Sequence, residues 1–278
     1  MTGYSAMKPQ ISTTGGALAV VIGGGNGIGE ETARLMASRG WRLAVADLDP
    51  AAAERVAGEL GGVSLALDIA DADAVERAAA AIEVAHGPVG ALVVAAAVFQ
   101  PVLPPAELPL EVWERTVHVN LTGTYYANRA FGTRMARQAR GSIVNIASIA
   151  AIGSVPVHAY ASSKAGVVSL TLNLAGEWGR AGVRVNCVSP GSTLVPRVVE
   201  RIRSGRYAAD PAEFTALGRI VQPREVAESI EFLASDRASA ITGVNLVVDA
   251  GWHVAGTWAQ YGGVRPAPSP LEAAGGAA

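Results

Sequence analysis

Leu18-Ala19-Val20-Val21-Ile22-Gly23-Gly24-Gly25-Asn26-Gly27-Ile28-Gly29 is the stretch that decides the fold of this chain. Its first five residues form a short apolar run, which suits a strand buried on both faces. The glycines then lead into a helical pattern over 30–38. A strand, a glycine-rich turn and a helix N-terminus together predict an anion site, because exposed backbone N–H groups and the helix dipole favour a phosphate there.

An acidic residue closes the next apolar run, which predicts a second strand over 41–46. Asp47 stands about 20 positions after the glycine turn, where an acid can bind both ribose hydroxyls of an adenosine and repel a 2′-phosphate. A solvated loop acid is the alternative, and we favour the ribose contact because of this position. Asp49, directly before Pro50, is interpreted as a helix cap.

Strand-like and helix-like segments alternate along the rest of the chain. We expect strands at 63–67, 91–97, 141–147, 183–188 and 244–248, and helices at 51–60, 72–85, 110–137, 158–178 and 223–234. This pattern predicts an α/β fold of Rossmann type: one doubly wound parallel sheet of about seven strands with helices on both faces. We expect a loose lead-in at 1–16, a single domain over 17–264 and a flexible tail at 265–278.

Tyr160 and Lys164 lie four residues apart in a predicted helix, so their side chains point to the same face. A phenol ionises near pH ~10, and a neighbouring ammonium lowers that pKa and makes the tyrosine a proton donor and acceptor. Taken alone, this spacing is more often a surface pair. Asn120 also requires a reason, because asparagine is unfavourable in the middle of a helix.

The composition limits the functional classes. The net charge is −2 and 17% of the 278 residues are charged, with no basic stripe, which argues against nucleic acid as a partner. The one cysteine, Cys187, lies in an apolar run and is interpreted as a buried structural thiol. An apolar span of about 18 residues and a signal-peptide pattern are both missing, so we expect a cytoplasmic protein without a membrane partner. Aspartates between 47 and 73 suit caps and cofactor contacts better than a metal.

Together these motifs resemble the short-chain dehydrogenase/reductase family over about residues 17 to 252. Gly23-x-x-x-Gly27-x-Gly29 is similar to that family's cofactor turn, and its NAD-dependent members carry an acid where Asp47 stands. The residues that match its catalytic four are Asn120, Ser148, Tyr160 and Lys164. The resemblance implies that Tyr160 and Lys164 also contact the cofactor. It implies further cofactor contacts from Gly23, Asn26, Gly27, Ile28, Gly29, Asp47, Leu48, Asp68, Ile69, Ala95, Ala96, Pro190, Gly191 and Thr193.

The resemblance implies hydride transfer between NAD(H) and a secondary alcohol or ketone, cyclic or hydrophobic, of the dihydrodiol or cyclic alcohol type. Tyr160 would take the hydroxyl proton, and Lys164 would lower its pKa and hold the nicotinamide ribose. Ser148 would stabilise the substrate oxygen, and Asn120 would hold a water. Thr193 is expected at the nicotinamide amide, with Val195 as the alternative. Two other functions stay open: an NADPH-dependent 3-oxoacyl-thioester reductase, disfavoured by Asp47, and a non-catalytic dinucleotide sensor.

Three departures from the family pattern stand out. Ile22 replaces a threonine, and Val94-Ala95-Ala96-Ala97 replaces an Asn-Asn-Ala-Gly segment. We interpret the two changes as linked, since losing both hydrogen-bonding partners costs less than orphaning one. The segment from Ser148 to Tyr160 is one residue shorter than in many relatives, which affects the substrate wall.

Several side chains outside these motifs are candidates for substrate or partner contacts. An expected substrate wall consists of Phe99, Ile149, Ala150, Ile152, Val155 and His158, with the histidine more often incidental. Four arginines, Arg197, Arg201, Arg203 and Arg206, are interpreted as a solvated helical face rather than a lid that attracts a carboxylate. The aromatic cluster Trp252, His253, Trp258 and Tyr261 indicates an interface or a flap, and the resemblance implies a homotetramer.

Overall fold

The computed structural model describes residues 16–205 and 209–265. In this part of the chain seven strands form one parallel sheet in the order β3-β2-β1-β4-β5-β6-β7, which confirms the predicted fold class. The strands are β1 Leu18–Ile22, β2 Arg42–Asp47, β3 Val63–Ala66, β4 Val89–Val94, β5 Gly141–Ile146, β6 Val183–Pro190 and β7 Asn245–Val248. The lead-in before residue 16, Arg206 and the tail from residue 266 lie outside the described residues.

Helices cover both faces of the sheet. They are α1 Gly27–Ser38, α2 Pro50–Leu60, α3 Ala72–His86, α4 Leu110–Val117, α5 Thr124–Arg137, α6 His158–Trp178, α7 Pro196–Arg203, α8 Pro223–Ala234 and α9 Trp252–Ala255. Asp49 caps α2 and Asp71 caps α3 through their carboxylates, as predicted for Asp49. In the part of the chain that the structure describes, no helix is both long and apolar enough to cross a membrane.

The two faces of β1 explain its unbroken apolar sequence. Val20 belongs to a cluster that includes Phe131 of α5. Its neighbour Val21 belongs to a second cluster with Met36 of α1 and Ile230 of α8. Successive strand residues point to opposite faces, so a strand with helices on both sides needs apolar residues at every position.

Two predicted boundaries are wrong by three residues, and one predicted helix is divided. Helix α1 begins at Gly27 rather than at residue 30. Strand β4 ends at Val94 rather than at residue 97, because the N–H groups of Ala95 and Ala96 both donate to the Ile22 carbonyl, at 2.8 and 3.1 Å. These two bonds turn the chain away from the strand direction at the edge where the site forms. The helix predicted over 110–137 is divided by a π-helical turn, His118–Gly123.

The π-helical turn holds Asn120, whose buried side chain makes three hydrogen bonds. Its Oδ1 accepts a hydrogen bond from the Val98 N–H at 2.8 Å, and its Nδ2 donates to the Val98 carbonyl and to Ser163 Oγ, at 3.0 and 3.2 Å. Asn120 therefore ties the segment after β4 to helix α6. This is a structural reason for a polar residue in the middle of a long helix.

Cys187 in β6 is buried and carries a free thiol. Burial raises its pKa to about 11, against smaller lowering effects from Thr171 and Lys164. The thiol is therefore protonated at neutral pH, and its Sγ donates to Asn245 Oδ1 at 3.4 Å. The interpretation as a structural thiol is confirmed.

Candidate active site

A cavity of about 880 Å³ lies at the carboxyl ends of the strands, the edge where open α/β sheets bind ligands. Of the predicted site residues, all but Asn120 line this cavity. Residues from the glycine turn, the ends of β2 to β6, the start of α6 and the segment leading into α7 thus meet in one place. Asn120 lies behind the wall formed by Val98, and its contribution to a water chain stays a prediction.

The glycine turn is packed too tightly for side chains at two positions. A Cβ added at Gly29 would lie 2.0 Å from the Gly23 carbonyl oxygen, and one at Gly23, where φ is +79°, would lie 2.4 Å from the Ala96 nitrogen. Asn26, at the N-cap of α1, makes no capping hydrogen bond with its side chain. The turn thus leaves the first N–H groups of α1 for a ligand, as a phosphate site requires.

Asp47 lines the cavity beside this turn. Its Oδ2 accepts a hydrogen bond from the Gly25 N–H at 2.8 Å, and its Oδ1 accepts one from the Asp49 N–H at 3.1 Å. The carboxylate is therefore fixed in place by the turn itself. Arg55 also contacts the turn, but its guanidinium donates to the Gly25 carbonyl and pairs with Glu30, and it does not line the cavity.

Tyr160 and Ser148 line the other end of the cavity together, and the Ser148 hydroxyl is close enough to influence the pKa of the phenol. Burial is the largest influence on the Tyr160 pKa and raises it, while the Ser148 hydrogen bond and the charge of Arg197 act to lower it. Ser148 is itself oriented by the Ala150 N–H, which donates to its Oγ at 3.1 Å. A phenol beside a hydroxyl group is an arrangement that can exchange a proton with a ligand.

Lys164 is buried below the tyrosine. Its Nζ donates to the Ile146 carbonyl at 2.6 Å and lies 5.7 Å from the centre of the Tyr160 ring. Burial lowers the Lys164 pKa to about 8. The predicted effect of Lys164 on the tyrosine pKa stays a prediction, since the cation that acts on Tyr160 in this structure is Arg197.

Sequence reasoning missed Gln100, which is 2% exposed. Its Oε1 accepts hydrogen bonds from the N–H groups of Ala159 and Tyr160, at 2.6 and 3.0 Å. One side chain from the proline-rich connection therefore satisfies two donors in the first turn of α6, the turn that carries the tyrosine. Nothing in the local sequence pattern points to this contact across about 60 positions.

The interpretation of the arginines as a solvated face is not contradicted, since Arg197 and Arg203 are exposed and Arg201 is half-buried, but two of them also border the cavity. Arg197 and Arg201 line the cavity, whereas Arg203 does not. The guanidinium carbon of Arg197 lies 3.5 Å from the centre of the Phe99 ring, and that ring stacks on Tyr160 at 4.8 Å between centroids. The stack forms because α7 folds over the cavity, a long-range contact that helical periodicity does not reveal.

Part of the predicted substrate wall lines the cavity, and its contact with a substrate stays a prediction. Phe99, Ile149, Ala150 and Val155 line the cavity, but Ile152 and His158 do not. Ile152 is 47% exposed, because the loop carrying it turns outward after a short helical turn. Thr193 lines the cavity too, yet its hydroxyl donates to the Gly191 carbonyl at 3.0 Å within its own turn. The two departures from the family pattern that we interpreted as linked are neighbours in the sheet, since Ile22 of β1 pairs with Val94 of β4.

The fold and the site define an oxidoreductase with a Rossmann-type dinucleotide cavity. A family model described as enoyl-(acyl carrier protein) reductase matches residues 23–253. The chain belongs to the short-chain dehydrogenase/reductase family, whose named relatives are dehydrogenases that act on CH–OH groups.

Three comparisons illustrate the similarity. D-threitol dehydrogenase of Mycolicibacterium smegmatis is 38% identical over 245 residues, covering 86% of this chain and 94% of that enzyme. Cis-4-hydroxycyclohexanecarboxylate dehydrogenase of Sinomonas cyclohexanicum is 37% identical, covering 84% and 96%. A crystal structure titled ribose-5-phosphate isomerase from Brucella melitensis 16M is 50% identical, with a TM-score of 0.88, covering 90% and 98%.

Proposed function

We propose that this protein oxidises a cyclic or hydrophobic secondary alcohol with NAD⁺, and reduces the ketone in the reverse direction. The observation that carries the proposal is that Tyr160 and Ser148 line the same cavity as the glycine turn and Asp47. The Tyr160–Ser148 pair can move a proton at a carbinol oxygen, and the glycine turn with Asp47 can bind a dinucleotide. Hydride transfer needs both in one enclosed space.

The residues present fit a nicotinamide dinucleotide. Gly23 and Gly29 let the turn pack against its own backbone and against Ala96, where any Cβ would clash. The N-terminus of α1 supplies N–H donors for the pyrophosphate. Asp47 is held in place to bind ribose hydroxyls and would repel a 2′-phosphate. We therefore infer NAD rather than NADP. Further contacts would come from Leu48, Asp68, Ile69, Ala95 and Ala96, with Pro190, Gly191 and Thr193 beside the nicotinamide.

The nicotinamide, when bound, supplies the hydride acceptor. Tyr160 would take the proton from the substrate hydroxyl as general base. Ser148 would donate to the developing charge on the substrate oxygen. Lys164 has a pKa of about 8 and can therefore exchange protons near neutral pH. It would accept the proton that Tyr160 has taken, which returns the tyrosine to its starting protonation state. Asn120 would support a water on that route.

The apolar wall supports a cyclic or hydrophobic substrate. Ile149, Ala150 and Val155 face the cavity at the Tyr160 end, and burial of a hydrocarbon ring there contributes about 25 cal/mol per Å². The names of the two dehydrogenase relatives agree with oxidation of a carbinol. The Brucella melitensis structure is named as an isomerase, and an isomerase has no evident use for a glycine turn paired with an acid that can bind ribose.

Two alternatives are kept as outcomes of experiment. A 3-oxoacyl-thioester reductase would be expected to use NADPH, which Asp47 disfavours. A dinucleotide sensor without catalytic activity would be expected to have lost the tyrosine or the lysine, and both line the cavity here.

We further propose a cytoplasmic homotetramer. Trp113 of α4, Tyr125 of α5 and Leu172 of α6 are 39%, 45% and 54% exposed, which supports subunit contacts along the two long helices. Trp258 and Tyr261 are exposed after the last strand and extend the candidate contact surface. A molecular mass in solution equal to that of a single chain would contradict the tetramer.

The direct test is NADH formation from NAD⁺ with cyclohexanol and related alcohols, followed by nicotinamide absorbance. We expect Tyr160→Phe to lower kcat by about 10²- to 10⁴-fold, while NADH still binds to the variant. Oxidation at the wild-type rate without the tyrosine hydroxyl would contradict the assignment of the proton acceptor.

A further inference from the structure

The Gly25 backbone in the glycine turn is held at both of its polar groups. Its N–H donates to Asp47 Oδ2 at 2.8 Å, and its carbonyl accepts a hydrogen bond from Arg55 Nη2, also at 2.8 Å. A Cβ added at Gly25 would lie 2.8 Å from the Ala52 Cβ, so the turn packs directly on α2, the helix that carries Arg55. The end of β2, the turn and α2 therefore form one connected unit.

A carboxylate of α1 fixes the direction of the Arg55 side chain. The guanidinium meets Glu30 through two contacts, Nη1 with Oε1 at 2.9 Å and Nη2 with Oε2 at 3.0 Å, and this paired arrangement gives an arginine a defined orientation. The hydrogen bond from Arg55 is also the largest influence on the Glu30 pKa and lowers it, so Glu30 is ionised at neutral pH. The ion pair thus connects α1 to the turn by way of α2.

The direction of the Gly25 carbonyl matters for anion binding, because its negative end would oppose a phosphate if it faced the cavity. Gly25 and Arg55 do not line the cavity, whereas the next two residues, Asn26 and Gly27, do. The bond to Arg55 therefore keeps this carbonyl on the α2 side, away from the N–H groups at the start of α1 that would bind a phosphate. The arginine acts through the backbone and not by contacting the ligand.

We propose that Arg55 is a positioning residue for dinucleotide binding: with Glu30 it holds Gly25 in the conformation that lets Asp47 and the N-terminus of α1 meet the cofactor. The inference rests on the proposed NAD-dependent function of the same cavity. It assigns a role in cofactor affinity to an ion pair outside the cavity. Loss of either member of the pair should therefore weaken binding of the dinucleotide.

The sign of the Glu30 effect separates positioning from simple electrostatic attraction. A cation near an anion site attracts the ligand and a carboxylate repels it, so attraction alone predicts that Arg55→Met weakens NADH binding and that Glu30→Gln strengthens it. Positioning predicts that both weaken it, because an amide accepts from Arg55 at one atom only and its NH₂ group faces the guanidinium. We expect each substitution to lower NADH affinity about 3- to 10-fold, a moderate loss because the pair is partly exposed.

Fluorescence titration of the full-length protein with NADH measures these affinities, and Arg34→Met is the matched control. Arg34 pairs with Glu30 at 2.8 Å and with Glu59 at 2.5 Å, so it belongs to the same group of charges, and its described contacts do not include Gly25. Its NADH affinity should stay within about 2-fold of wild type. An equal loss in this control, wild-type affinity in Arg55→Met, or tighter binding by Glu30→Gln would overturn the proposal.

Steady-state kinetics give a second readout. With cyclohexanol as substrate, Arg55→Met should raise the KM for NAD⁺ about 3- to 10-fold and leave kcat within about 2-fold, because Tyr160 belongs to α6 and not to the turn. A fall in kcat with an unchanged KM for NAD⁺ would contradict a role in cofactor binding.

Amide hydrogen exchange of the protein without dinucleotide separates this inference from the function on which it rests. The Gly25 N–H should exchange at least about 3-fold faster in Arg55→Met than in Arg34→Met, because its bond to Asp47 is no longer supported. Faster exchange, with no NADH binding by wild type, would keep the hold of Arg55 on the turn and refute the NAD-dependent function. NADH binding that is equal in wild type and Arg55→Met would keep that function and refute the inference.

Discussion

Gln100 holds the first turn of α6, the helix that carries Tyr160, and Gln100→Met should reveal this. Methionine has a similar length and no strong acceptor, so the N–H groups of Ala159 and Tyr160 would lose the oxygen they share. Ala159 is fully buried, and water cannot readily replace that bond. A buried donor without a partner costs about 1–3 kcal/mol. Because Tyr160 is less buried, we expect a total loss of about 2–4 kcal/mol in the free energy of unfolding.

Activity should fall as well, because the same turn carries the reacting phenol. A displacement of about 1 Å at a reacting group can cost roughly 100-fold in rate. Urea unfolding at a fixed protomer concentration measures the loss in the free energy of unfolding. The kcat for cyclohexanol oxidation measures the loss of activity. Gln100→Glu, which keeps an acceptor at a helix N-terminus, should restore much of both.

Gln138→Met is the matched control. Gln138 lies just after α5 and donates to Glu83, away from the cavity, so kcat should stay at the wild-type value. A Gln100→Met variant with wild-type stability and kcat would refute the reasoning. A loss of stability with unchanged kcat would show that Gln100 supports the fold but does not position Tyr160.

Two further predictions follow from charged side chains. Burial lowers the Lys164 pKa from 10.5 to about 8. Between pH 8 and 10.5 the unfolded chain therefore binds more protons than the folded protein, and the free energy of unfolding should rise with pH in that range. We expect the free energy of unfolding of the wild type to rise by about 3 kcal/mol more than that of Lys164→Met over this pH range. Parallel pH profiles of urea unfolding for the two proteins would contradict this. Asp47→Asn keeps an acceptor for the Gly25 N–H but loses the charge, so NADH affinity should fall about 10-fold while NADPH affinity holds or improves. Unchanged NADH affinity in fluorescence titrations would defeat the ribose assignment.

Local patterns predicted much of this fold because each element has its own signal. The run at Leu18–Ile22 and the helices His158–Trp178 and Pro223–Ala234 begin and end where periodicity and caps indicate. Alternation of strand and helix then leaves few arrangements other than a parallel sheet with right-handed crossovers. Motif spacing also located the cofactor turn and the Tyr160–Lys164 pair in one cavity.

Contacts between distant segments could not be predicted in this way. Periodicity tells which face of α7 is polar, but not that Arg197 meets Phe99 about 100 positions earlier in the chain. The same holds for Gln100, a polar residue that looks like an ordinary loop position until α6 packs over it. Asn120 shows the intermediate case: its unfavourable position in a helix signalled a role, and only the structure identified the Val98 backbone as its partner.

The most direct test of this account is a titration of the wild-type protein with NADH and with NADPH, followed by nicotinamide fluorescence. We expect NADH to bind at least about 10-fold more tightly than NADPH, because Asp47 would accept hydrogen bonds from the ribose hydroxyls and would repel a 2′-phosphate. Tighter binding of NADPH would contradict the NAD assignment and favour the 3-oxoacyl-thioester reductase. Binding of neither would contradict the claim that this cavity holds a dinucleotide.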